Sequence, residues 1–258
     1  MPTVAVVALA VKGSGTDAAS ERSLEVLRSD IVPATVGRLP NADVAVTGMT
    51  AGSKDFLDVM KSHLPLVFAF VLSLAFILLL VTFRSIVVPI KAIILNLLSV
   101  GAAYGVLTWV FQDGHGEKAL DFQSVGGITS WLPLFLFVIL FGLSMDYHVF
   151  VLSRVREAVD RGMSTDNAVA HGIKSTASVV TSAALVMVAV FGAFALSSSQ
   201  DMKQLGVGLG VAILIDATIV RAILLPASMK LLGRTNWYLP KRLSWLPKLE
   251  HEPEPAAA

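Results

Sequence analysis

Five stretches of this chain are each long and apolar enough to cross a hydrocarbon layer as a helix, and they leave little freedom in how it folds. They run Leu64–Phe83, Val88–Phe111, Trp131–Ser153, Ala177–Leu196 and Leu205–Leu232. Inside a bilayer every peptide group needs a partner within the protein, so such segments are helices or strands of a closed barrel. The period-two alternation of barrel strands is absent, which leaves helices. Composition agrees: 55% of residues are hydrophobic and 15% charged, with a mean hydropathy of +0.73, whereas soluble domains carry about a quarter charged residues.

The short connections set an orientation. Arg84 and Lys91 lie by the first link, Arg154, Arg156, Arg161 and Lys174 by the third, and Lys230, Arg234, Lys241, Arg242 and Lys248 by the tail. The opposite side carries only Lys118 and Lys203. The positive-inside rule then makes the basic side and the C-terminal tail, 233–258, cytoplasmic and residues 1–63 extracytoplasmic. Two routes put 1–63 outside: export of the N-terminal tail with the first helix, or a transmembrane helix upstream. The second is favoured, because Val4–Val11 is too short to span and lacks a basic leader.

Residues 1–63 read as a small α+β unit of βαβ type. Thr3–Val11 suits a strand, 21–39 has helical spacing broken at Pro33, and Ala42–Thr47 alternates as a second strand closed by Gly48. Ser53–His63 then predicts an amphipathic helix with Phe56, Leu57 and Met60 inward. A βαβ this small has open sheet edges and too little core to stand alone.

Three ionisable side chains lie inside the spans: Asp146, Asp216 and Arg221. Each costs at least about 2.5–3.5 kcal/mol at the bilayer centre and is expected to face the bundle interior. Burial without a neighbouring cation favours a carboxyl group's neutral form, so Asp146, beside the phenol of Tyr147, is a candidate reversible proton carrier. The plainer alternative is a structural Asp bonded to a neighbouring hydroxyl. Asp216 and Arg221 are about 140° apart on an ideal helix, so a salt bridge between them needs the long reach of Arg, and partners on other helices are the favoured expectation. Arg221 also suits an interfacial anchor ahead of Pro226. Small residues at spacing four, Ser178 with Ser182 and Gly206 with Gly210, predict close helix contacts. Ser178, Thr181 and Ser182 are candidate relay hydroxyls, although hydroxyls at such contacts more often act as adhesive. Trp131, Trp237, Tyr238 and Trp245 read as interfacial anchors.

Other chemistries find little support. A net charge of +1, from 20 basic and 19 acidic residues, argues against nucleic-acid binding. With no cysteine there is no disulfide or thiolate site. His63, His115, His148, His171 and His251 are scattered, so neither metal nor cofactor is implied, although His148 stands next to the Asp-Tyr pair. Residues 142–146 lack the second glycine of a nucleophile elbow, and Gly172-Ile173-Lys174-Ser175 is only loosely a phosphate loop, so no enzyme is expected.

The segments GLSMDYHVFVLSRVRE (142–157), STASVVTSAA (175–184) and GLGVAILIDATIVR (208–221) resemble the MmpL family of the RND transporter superfamily, and the likeness covers nearly the whole chain. The resemblance implies twelve transmembrane helices in two repeats, each with an extracytoplasmic porter domain. The five helices here look like helices eight to twelve, a second repeat lacking its first helix, and residues 1–63 like the closing βαβ of the second porter domain. It further implies that an Asp-Tyr pair on helix four faces a matching pair on helix ten, and that proton passage between them drives export of lipids or hydrophobic compounds. Asp146 and Tyr147 match the helix-ten pair, Phe150 an aromatic residue of that region, and Asp216 and Arg221 the acid and base of helix twelve. By this likeness the chain is the C-terminal portion of a proton-motive-force-driven exporter in the bacterial plasma membrane. It would work among membrane lipid with an N-terminal half or as a homo-oligomer, since helices one to seven are absent. The alternative is a non-transporting scaffold or remnant that binds partners through its exposed segment.

Overall fold

The first helix of the computed structural model, α1 (Ala18–Val26), begins where Asp17 accepts hydrogen bonds from the Ser20 amide at 3.0 Å and the Ser20 hydroxyl at 2.5 Å. The structure describes residues 4–10, 15, 17–40, 42–124 and 126–246, and the chain divides into Met1–Pro65 and Leu66–Ala258. After α1 the helix widens into a π-helical turn, Leu27–Ile31, then tightens through Val32–Ala34 and a 3-10 turn, Val36–Arg38. Pro33 accounts for the break: it has no N–H for the carbonyl four residues back. Arg28 reaches Asp55 at 2.5 and 2.8 Å and the Val46 carbonyl at 3.2 Å, holding 42–48 against the start of the next helix.

The two expected strands are not formed. Residues 4–10 and 42–47 carry no ladder hydrogen bonds, and among the described residues no strand occurs. Val4, Val6, Val7 and Leu9 are exposed. A strand exists only by pairing, and this unit brings no neighbouring strand to either stretch. Phe56, expected to point inward, is exposed as well. The only buried hydrophobic side chains described here are Leu24 and Ala51, so the unit has almost no interior to receive it.

Helix α2 (Met49–Phe83) joins the expected amphipathic helix to the first apolar stretch without interruption. The second unit adds α3 (Val87–Leu107), which ends in a π-helical turn at Thr108–Gln112, then α4 (Leu132–Asp160) and α5 (Thr165–Ala195). Last comes α6 (Gln200–Ile215), which runs through a π-helical stretch, Asp216–Leu224, into α7 (Leu225–Leu232). Among the described residues five helices are thus long and apolar enough to cross a membrane, as the hydropathy requires. Their ends reach past the apolar windows because hydrogen bonding continues where side chains turn charged. On α4, Arg154–Glu157 and Arg156–Asp160 pair one turn apart, and Ser164 caps α5 by accepting from the Asn167 amide.

The core lies among α3, α4, α6 and the inner faces of α2 and α5. Leu95, Ala103 and Leu107 meet Leu136, Leu140, Phe141, Leu209 and Ala212 there, and Phe68 of α2 stacks on Phe137 at 3.9 Å. Glycine allows two close backbone approaches. A Cβ at Gly206 would stand 2.5 Å from the Phe191 carbonyl oxygen of α5, and one at Gly172 would stand 2.4 Å from a Val155 methyl of α4. Gly210, predicted to share the Gly206 contact, meets nothing within 4 Å.

Beyond α7 the chain folds back over the start of α3. Asn236 is buried; its carbonyl accepts from the Ser85 hydroxyl at 2.5 Å and its side-chain oxygen from Lys91 at 3.0 Å. The Tyr238 carbonyl takes the Ile86 amide at 3.1 Å, and the Arg156 guanidinium sits 4.7 Å over the Trp237 ring. Trp237 therefore packs on protein, while Tyr238 and Trp245 are exposed. The sequence from Glu250 onward lies outside the described residues.

Candidate functional site

Most helical positions in the second unit are apolar, so one cluster among its buried polar groups stands out: Asn96 and Ser99 on α3, Ser144 and His148 on α4, Asp216 and Arg221 in the π-helical stretch. All but His148 line one small cavity of about 20 Å³, bordered also by Leu140, Val180, Ala184 and Ala212 among others.

Asp216 and Arg221 pair with each other. Arg221 Nη2 and Nε donate to Asp216 Oδ2 at 2.6 and 2.9 Å. This overturns the expectation of partners on other helices. The reckoning of 140° assumes α-helical geometry, whereas the π-helix of Asp216–Leu224 closes i to i+5 and brings residues five apart onto one face. Arg221 is only 5% exposed, so it does not snorkel as an anchor would. Its remaining reach goes to α4: Nη2 donates to the Ser144 carbonyl at 2.8 Å and its hydroxyl at 3.4 Å, and the guanidinium lies 4.7 Å over the Tyr147 ring.

Ser144 is the junction. Its hydroxyl donates to Asn96 Oδ1 at 2.5 Å, and its carbonyl lies 3.2 Å from His148 Nδ1, which makes Nδ1 the protonated ring nitrogen. Asn96 Nδ2, His148 Nε2, Asp216 Oδ1 and Arg221 Nη1 are buried with no hydrogen-bond partner among the described residues. In an apolar interior such unpartnered atoms are costly.

Asp146 stands apart. Instead of facing the interior it is exposed, on a stripe of α4 with Phe135, Val138, Gly142 and Phe150 that follows i, i+3, i+4 spacing. It has no hydrogen-bond or ion-pair partner among the described residues. Tyr147, next to it, is half-buried: it borders the inner cavity and also an outward groove with Ser178, Ser182 and Met187, whose sulfur accepts from the Tyr147 hydroxyl at 3.7 Å. Ser178 and Ser182 are exposed and line that groove, and Thr181 is exposed outside it.

Sequence reading did not single out Asn96 or Ser144. The signal for Asn96 was present, a lone amide within Ile-Ile-Leu-Asn-Leu-Leu, but Ser144 looks like any helix serine. Lys91, counted as a surface cation, is 7% exposed and bonded to Asn236. Among the described residues no group of histidines and carboxylates could hold a metal.

Five membrane-crossing helices around an interior seamed by an ion pair and amides define a multi-pass membrane protein. The chain belongs to the MMPL family, whose profile matches residues 3–248. It is 43% identical over 233 residues to the mycolic acid-containing lipids exporter MmpL11 of Mycolicibacterium smegmatis, covering 90% of this chain and 24% of that protein. It is 40% identical over 207 residues to the trehalose monomycolate exporter MmpL3 of Mycobacterium tuberculosis, covering 80% of this chain and 22% of that protein. A Mycobacterium tuberculosis protein named heme uptake protein MmpL11 is 44% identical over 203 residues, 79% of this chain and 21% of that protein. The chain thus spans about a quarter of the length of these relatives.

Proposed function

We propose that this chain is the C-terminal portion of a proton-motive-force-driven exporter of lipids or similarly hydrophobic compounds, with Asp146 and Tyr147 as its intramembrane proton relay. The observation that carries the reading is Asp146 itself: a carboxylate without a partner on the exposed stripe of a membrane-crossing helix. A charge is not kept at that depth without a second surface to meet it. A helix from the N-terminal half of the transporter, bearing its own acid and phenol, meets that need. Facing carboxylates interact strongly enough for one to hold a proton, and loss of that proton to the cytoplasmic side resets the site.

The remaining candidates take supporting places. Asp216 holds the Arg221 guanidinium over the Tyr147 ring, so the ring lies between that guanidinium and the stripe that carries Asp146. Phe150 continues the Asp146 stripe one turn on and packs against the incoming helix. Ser178 and Ser182 supply hydroxyls to the groove beside Tyr147. Basic residues concentrated at one end of the helices support a cytoplasmic C-terminus and an extracytoplasmic segment before α2. That segment is read as the edge of a porter domain, whose other strands pair with 4–10 and 42–47. Lipid is favoured as cargo because two of the relatives are named as exporters of lipid or mycolate.

Replacing Asp146 with Asn in the intact transporter tests the reading. Energised export should be abolished while the protein still inserts at its normal level; undiminished export would remove the relay.

A further inference from the structure

We infer that Ser144 and Asn96 are positioning residues for the relay: their hydrogen bond, together with the Arg221 contact, sets the rotation of α4 that turns Asp146 outward and lays Tyr147 beneath the guanidinium. The inference rests on the exporter reading for its functional consequence, but its geometry stands on its own.

Ser144 precedes Asp146 by two residues, about 200° around an α-helix, so α4 is gripped on the side opposite its outward carboxylate. The grip comes from two directions. From α3, Asn96 takes the Ser144 hydroxyl at 2.5 Å; from the π-helical stretch, Arg221 Nη2 takes the Ser144 carbonyl at 2.8 Å. The same guanidinium covers the Tyr147 ring, so one group reports on both the backbone at Ser144 and the phenol three residues on. Asn96 and Ser144 are 1% and 8% exposed, with Leu140, Val100 and Ala212 closing around them, and the other polar atoms near the Ser144 hydroxyl, Arg221 Nη2 at 3.4 Å and His148 Nδ1 at 3.5 Å, stand farther off than Asn96 Oδ1.

The consequence is a lever. Helical side chains sit roughly 5–6 Å from the axis, so a turn of α4 by about 30° carries Asp146 sideways by about 3 Å, enough to break any hydrogen bond it makes across the stripe. Arg221 and Asp216 from the π-helical stretch are the ion pair of this inner face, with the titratable groups Lys91 of α3 and His148 of α4 the others that act there. None of them reaches Asp146, which makes the rotation of α4, rather than direct contact, the route by which the core acts on it.

Three substitutions in the intact transporter test this: Ser144→Val, its isostere Ser144→Thr, and Asn96→Leu, which removes the same bond from the other helix. Two quantities are read in membranes: proton-driven export, and the rate at which a hydrophobic carbodiimide labels Asp146 at a fixed pH, located by peptide mass spectrometry. Ser144→Val and Asn96→Leu should each change the labelling rate of Asp146 severalfold and lower export roughly tenfold or more, while Ser144→Thr stays near the unsubstituted protein. Should one apolar variant fail to insert, the other decides. If both insert and leave the labelling rate in place, even with some loss of thermal stability, the bond is only adhesive and the inference is overturned. If labelling moves as expected but export of the unsubstituted protein ignores the proton gradient, positioning stands and the exporter reading falls.

Discussion

Asp216 and Arg221 show how a charged pair becomes tolerable in an apolar interior: each is the other's nearest counter-charge, and Ser144 takes part of what remains. Removing one member of such a pair leaves a buried charge alone, which costs about 3–5 kcal/mol, whereas replacing both with apolar residues of similar volume is close to neutral. Arg221→Met and Asp216→Leu should therefore each destabilise the protein in detergent more than the double variant does. Thermal unfolding of the three side by side checks this. The residues themselves were legible in the sequence, because an ionisable group in a membrane segment announces itself. Their partnership was not: it depends on a local change of helix type that no spacing rule for α-helices anticipates. Ser144 was hidden for a different reason, since a serine acquires a role only through the groups that reach it.

At the scale of the helix, the apolar windows located the crossing helices but cut several of them short, because the apolar run stops at the first cluster of charges and hydrogen bonding does not. The two glycines of α6 separate in the same way. Both sit at the spacing expected of a helix contact, yet a Cβ at Gly206 would strike the α5 backbone while one at Gly210 would touch nothing. Gly206→Ala should accordingly lower stability by about 1–3 kcal/mol, the usual cost of overpacking, and Gly210→Ala should leave it unchanged. A comparison of melting temperatures decides between this picture and one in which both glycines pack equally. The π-helical stretch allows a further check. Inserting one alanine between Ile219 and Val220 moves Arg221 off the face of Asp216 and should weaken the protein as much as Arg221→Met does.

For the molecule as a whole, the parts that sequence reading missed lie where it was asked to supply structure without partners. The expected strands over 3–11 and 42–47 need neighbours for their amides, and Phe56 needs an interior, and the described part of the first unit offers neither. The exposed stripe of Asp146 and Phe150 poses the same requirement inside the membrane. The chain contains no cysteine, so single cysteines report cleanly on both questions. Lys174→Cys should react with an impermeant reagent only from the cytoplasmic side and Thr129→Cys only from the opposite side; the reverse pattern would invert the proposed orientation. The central claim, that Asp146 carries the protons that drive export, is tested most directly by proton flux. With the intact transporter in sealed vesicles and a pH-sensitive dye inside, the unsubstituted protein should move protons down an imposed gradient in step with cargo, and the Asp146→Asn variant should move none. Equal flux through the two proteins would contradict the account.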